Sequence, residues 1–66
     1  MDLIKIGKYI AEKRKALGLT QKQLAEKLNM SDKSVSKWER GICLPDVSIY
    51  MELCSILRIS INEFLA

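Results

Sequence analysis

Sixty-six residues carrying eleven Lys and Arg, eight Asp and Glu, no His and a net charge of +3 are enough for one small domain and no second one. That size is close to the lower limit for a single core, so most of the apolar 48% must be buried together. Without His, and with Cys43 and Cys54 too far apart for a CxxC pair, an ordinary zinc site lacks ligands, while the opening MDLIKIGKYI never becomes the continuous apolar run of a signal peptide or membrane span.

These features predict a soluble cytoplasmic chain with no membrane partner, whose two cysteines are reduced thiols, Cys54 buried in a helix. The charge is uneven. Residues 1–40 hold ten of the eleven basic residues against five acids, and residues 41–66 hold only Arg58 against Asp46, Glu52 and Glu63. A basic end of this kind suits a polyanionic partner.

In chain order the punctuation predicts five short helices and no strand. Ile6, Ile10 and Leu17 recur at helical spacing with Leu3 and Ile4 extending the apolar side, which gives a first helix over about 3–17 that Gly18 ends in a left-handed conformation. Thr20 and Gln23 then form a capping box for a second helix, Gln21 to Leu28, which buries Leu24, Ala25 and Leu28. Asn29 stands where the chain must turn sharply, and Asn tolerates positive φ better than any residue but Gly. Ser31 caps a third helix that runs to about Arg40, where Gly41 stops it.

On this third helix Val35, Trp38 and the stem of Glu39 share one side, and Asp32, Lys33, Ser36, Lys37 and Arg40 share the other. Trp38 is therefore expected in the core rather than as a platform for stacked bases. Pro45 then forbids a continuous helix, Asp46 caps a fourth with Val47, Tyr50, Met51, Cys54 and Leu57 as its core positions, and Ser60 with Glu63 caps a last helix that carries Phe64 and Leu65. Ala25 permits a close crossing of the second and third helices over a wedge of Leu24, Leu28, Met30, Val35 and Trp38. Residues 21–40 thus read as helix-turn-helix.

LTQKQLAEKLNMSDKSVSKWERG, followed by LPD and a short apolar helix, resembles the DNA-binding domain of the phage repressor and Cro family of bacterial regulators. Thr20-Gln21, Leu24-Ala25, Val35, Glu39, Gly41 and Pro45 carry the likeness, which extends over nearly the whole chain. It implies an all-α, compact five-helix lambda-repressor-like domain over 1–66, with a reading helix at about 32–40 in the major groove of double-stranded DNA. A homodimer on a palindromic operator, acting as a transcriptional repressor, is the matching function. It leaves room for a further C-terminal domain or protein partner outside this chain.

Two departures stand out. Asn29 occupies a turn position where many relatives have Gly, and ICLP lacks the basic residue that some relatives carry there, so Ile42 and Leu44 suggest contact with a second subunit instead.

Physical roles follow for the polar residues. Asp32, Lys33 and Lys37 are the candidates for base edges, flanked by Ser34 and Ser36, since lysine suits the guanine acceptors and aspartate accepts from cytosine. Gln21, at the first turn of its helix, offers an amide beside free backbone N–H groups, where a phosphate is favoured. Arg40 is the second phosphate candidate, with Thr20 and Ser31 primarily caps that can also reach a phosphate. Arg14 and Glu39, which similar family members pair, are expected to form a structural ion pair, with Arg14 able to share a phosphate.

The competing function is a protein-binding module, such as an antitoxin-type partner with secondary DNA binding. Lys33, Lys37 and Arg40 on one face weigh against it. With no His and no glycine-rich phosphate loop, acid–base and nucleophilic chemistry lack their usual parts, so neither an enzyme nor a cofactor is expected.

Overall fold

The computed structural model describes residues 2–59, which form four α-helices and, among those residues, no strand. They are α1 (Leu3–Ala16), α2 (Gln21–Leu28), α3 (Asp32–Glu39) and α4 (Val47–Leu57). The expected fifth helix, with Ser60, Glu63, Phe64 and Leu65, lies outside the described residues.

Local chemistry sets each boundary. Asp2 caps α1, its carboxylate accepting from the Ile4 and Lys5 N–H groups, and this cap carried no sequence expectation. Leu17 follows the helix as its C-cap, one residue earlier than expected, and Gly18 is left-handed at φ 72°. The capping box at the start of α2 is complete: the Thr20 hydroxyl accepts from Gln23 N–H, and the Gln23 side chain accepts from Thr20 N–H. Asn29 makes the turn to α3 at φ 58°.

Ser31 caps α3 through Ser34 N–H, and Arg40 is its C-cap rather than its last residue. Asp46 caps α4 by accepting from Ile49 N–H and the Ser48 hydroxyl, and these hydrogen bonds hold its carboxyl below the ordinary value of 3.8.

The core is a wedge between α1, α2 and α3, closed by α4. Ile6 and Ile10 of α1 meet Leu24, Ala25 and Leu28 of α2, Val35 and Trp38 of α3, and Leu53, Cys54 and Leu57 of α4. Trp38 is 3% exposed, so it is a core residue.

Some expected core positions are not buried. Val47 and Met51 are 75% and 60% exposed, because α4 is rotated so that Leu53, unremarked in the sequence, faces inward with Cys54 and Leu57. Leu17 is also exposed, having left the helix before its spacing could bring it round, and Leu3 and Ile4 stand on the outer part of the first turn.

Arg58 ends α4 with φ 58°, a left-handed conformation that a side chain with a Cβ adopts at a cost. Arg58→Gly is expected to raise stability by up to about 1 kcal/mol, the conformational gain exceeding the added entropy of the unfolded chain. Chemical denaturation checks this; a lower midpoint would mean that the arginine stabilises the end of α4 by contacts that outweigh its backbone strain.

Candidate nucleic-acid interface

The C-terminal end of α3 sits beside the N-terminus of α2, and Glu39, ion-paired with Arg14 of α1, links the two. Arg14 Nε donates to Glu39 Oε2 at 2.6 Å, its NH2 nitrogen donates to Glu39 Oε1 at 3.1 Å, and its NH1 nitrogen donates to the Leu19 carbonyl at 2.7 Å. Arg14 is 8% exposed, with all three guanidinium nitrogens held by protein acceptors. Such burial fixes it as a strut between α1, the loop before α2, and the end of α3.

Glu39 is shared. Its Oε1 also accepts from Gln21 Nε2 at 3.0 Å, which orients the amide at the first turn of α2. The capping box uses the N–H groups of Thr20 and Gln23, so the N–H groups of Gln21 and Lys22 make no hydrogen bond among the described residues. Two open donors at a helix N-terminus, next to an oriented amide, suit a phosphate oxygen.

On α3 the outward residues separate into two sets. Ser34 Oγ lies 3.1 Å from Ser31 Oγ, and Ser36 Oγ accepts from Arg40 Nε at 3.1 Å, so each hydroxyl already has one contact within the domain. Arg40 Nε also reaches the Ser36 carbonyl at 3.3 Å, which leaves the two terminal guanidinium nitrogens for solvent or a partner. Asp32, Lys33 and Lys37 are exposed and make no hydrogen bond or ion pair among the described residues. Lys33 and Lys37 are one turn apart on the same side, so their ammonium groups can address neighbouring positions on one partner.

Thr20 and Ser31 are exposed caps at the starts of α2 and α3. In the loop after α3, Ile42 is 56% exposed and Leu44 packs partly against the core, so only Ile42 presents an apolar surface outward. The Ser36 to Arg40 contact and the grip of Glu39 on Gln21 had no signal in the sequence beyond spacings that fit many other pairings.

Among the described residues no group of His, Cys, Asp and Glu could hold a metal ion, and no helix is long and apolar enough to cross a membrane.

Because each partner of the ion pair is nearly buried, removing either one strands the other. Arg14→Met and Glu39→Leu should each cost about 1–3 kcal/mol, and the double variant should recover a large part of the summed loss. Denaturation of the four members of the cycle measures the coupling; strictly additive losses would show that the two charges contribute independently.

Comparison with known proteins identifies the family. The model of a helix-turn-helix family matches residues 10–64. The HTH-type transcriptional regulator ImmR of Bacillus subtilis is 35% identical over 60 residues, which are 91% of this chain and 47% of that protein. The cryptic phage CTXphi transcriptional repressor RstR of Vibrio cholerae is 37% identical over 60 residues, 91% of this chain and 54% of that one. The chain thus spans about half the length of these curated relatives.

Among solved structures, the restriction-modification controller protein C.AhdI of Aeromonas hydrophila superposes with a TM-score of 0.83 at 32% identity, covering 94% of this chain and 90% of that one. With the match running from the middle of α1 past the end of α4, and the turn at Asn29 inside it, this chain belongs to the helix-turn-helix family.

Proposed function

We propose that this chain binds double-stranded DNA sequence-specifically, as a homodimer on a palindromic operator, and represses transcription there. The observation that carries the reading is the face of α3. Asp32, Lys33 and Lys37 project from a rigid element with no partner among the described residues, and Arg40 presents its two terminal nitrogens beside them. A solvated surface helix has no need of three cations on one side, whereas a helix in the major groove meets base edges at its centre and phosphates at its rims. The relatives named as a transcriptional regulator and a transcriptional repressor support the same role.

The parts act in sequence from grip to reading. The open N–H groups of Gln21 and Lys22, with the Gln21 amide fixed by Glu39, take one phosphate at the start of α2, where the helix dipole favours the anion. Thr20 and Ser31 lie close to the backbone on either side, each keeping its cap bond. Arg40 takes another phosphate, with Ser36 aiming its guanidinium.

These contacts set register, and Lys33, Lys37 and Asp32 then discriminate bases: lysine donates to guanine O6 and N7, and aspartate accepts from cytosine N4. Ser34 and Ser36 are secondary readers, Ser34 already in contact with Ser31, and Ser36 accepting from Arg40 with its own O–H left to donate. Arg14 acts through Glu39, since it is buried and each of its three guanidinium nitrogens already donates to a protein acceptor.

Reading and gripping separate experimentally. Lys33→Ala or Lys37→Ala is expected to cost about 1–3 kcal/mol on the preferred duplex and to relax preference at a defined base pair, with less loss on scrambled DNA. Arg40→Ala should weaken binding to all sequences and lower the salt slope by somewhat less than one unit, because one fewer cation displaces counterions. Affinities for both duplexes at several salt concentrations give all of these values. Equal losses on the two duplexes for both lysine variants would move the reading to Asp32 or to DNA shape. Retention on DNA no stronger than for any weakly basic protein would favour a protein-binding module.

A further inference from the structure

Gly7 lies in the interior of α1, where glycine weakens a helix, and it is buried. The reason is visible where α1 crosses the end of α3. A Cβ on Gly7 would stand 2.5 Å from both the Trp38 and Glu39 carbonyl oxygens and 2.8 Å from the Glu39 carbonyl carbon. The contact is answered from the other side, because a Cβ on Gly41, which has φ 75°, would stand 2.9 Å from Ile4 Cα. Main chain meets main chain at both points. No change of rotamer can relieve an added methyl group there.

We propose that Gly7, with Gly41 and Ile4, is a positioning element for the reading helix: this backbone contact sets the height and tilt of the C-terminal half of α3, and through it the depth at which Lys37 and Arg40 meet DNA. Trp38 and Glu39, the residues in contact, are flanked directly along the chain by Lys37 and Arg40, so a shift of one pair is a shift of the other. Cβ atoms essentially never come within 3.0 Å of such neighbours, so a methyl group on Gly7 must move α1 and the end of α3 apart by at least the 0.5 Å that separates that limit from 2.5 Å, and in this proposal the short α3 takes up that movement.

Eight residues of α3 extend about 12 Å, and with the Ser31 end held against α2 this displacement tilts the helix by about 2° or more. A shift of about 0.5 Å is already the tolerance within which a binding constellation must be held. The backbone N–H groups of Gln21 and Lys22 at the start of α2 are not on this lever, although the Gln21 amide is tied to it through Glu39.

The inference rests on the DNA-binding reading above, and the test separates the two. Affinities of the whole chain are measured for its preferred duplex and for a scrambled duplex, below the melting temperature of each variant. Gly7→Ala is expected to lower the ratio of the two affinities about tenfold or more, with affinity for scrambled DNA falling only by the smaller factor that displacing the Arg40 contact causes and the salt slope changing by less than one unit. Ile6→Val, a core truncation on the same helix, lowers the melting temperature but leaves the ratio unchanged. A purely structural role for Gly7 instead makes the ratio follow melting temperature in both variants, and that result overturns the proposal.

Ile4→Ala covers the case in which Gly7→Ala does not fold. Ile4 is exposed and its truncation adds no clash, yet it loosens the seat of Gly41, so the ratio is expected to fall about threefold. An unchanged ratio for Ile4→Ala when Gly7→Ala is unfolded, or for a folded Gly7→Ala, overturns the proposal. An unsubstituted chain that prefers no sequence overturns the DNA-binding reading, and this inference with it.

Discussion

The ion pair of Arg14 and Glu39 is the constraint on which the arrangement of this domain depends. Helices of eight residues, such as α2 and α3, are not stable alone in water, so their relative placement must come from tertiary contacts. The hydrophobic wedge holds them together but is tolerant of rotation and sliding, because apolar contacts carry little direction. The bidentate pair supplies the direction. One guanidinium, anchored on α1, holds the last residue of α3 with two nitrogens and the carbonyl of Leu19, just before α2, with the third. Glu39 then passes the constraint on to Gln21. Side-chain exposures of 10% and 8% for the pair mean that either charge without the other would be stranded, which makes the geometry nearly all-or-none.

The same economy appears among the outward polar residues. Hydroxyls that could have met a partner are drawn into local structure: Thr20 and Ser31 cap helices, Ser34 lies against Ser31, and Ser36 holds Arg40. What remains uncommitted on α3 is a short list of charged groups on a rigid support. Side chains with no partner to release lose no internal hydrogen bond on meeting one, and this favours Lys33, Lys37 and Asp32 over the serines as readers. Arg40 differs from the lysines because its orientation is already set before any partner arrives.

Much of this was legible in the sequence where a local rule decides the outcome. Thr20, Ser31 and Asp46 are caps whose side chains bond backbone within three residues, and Asn29 and Gly41 mark sharp turns through their tolerance of positive φ. The Val35 and Trp38 face was equally clear, since polar residues occupy the rest of α3. The apolar face of α4 was not. Its residues are apolar around most of the circumference, so periodicity could not choose between a face with Val47 and Met51 and the observed one with Leu53. The importance of Gly7 was hidden for another reason: a glycine inside a helix is only a weak point until the opposing backbone is known. The bonds from Gln21 to Glu39 and from Arg40 to Ser36 depend on side-chain reach, which spacing alone does not fix.

If α3 is a reading helix held at a fixed height by this framework, its few free side chains span too few base pairs to select a site alone, and two copies must read together. Selection of bound duplexes from a random DNA pool tests that most directly. The account predicts an enriched inverted repeat whose half-site centres lie about one helical turn, roughly 10–10.5 base pairs, or a multiple of it, apart. A pool that emerges with no enriched sequence would contradict it.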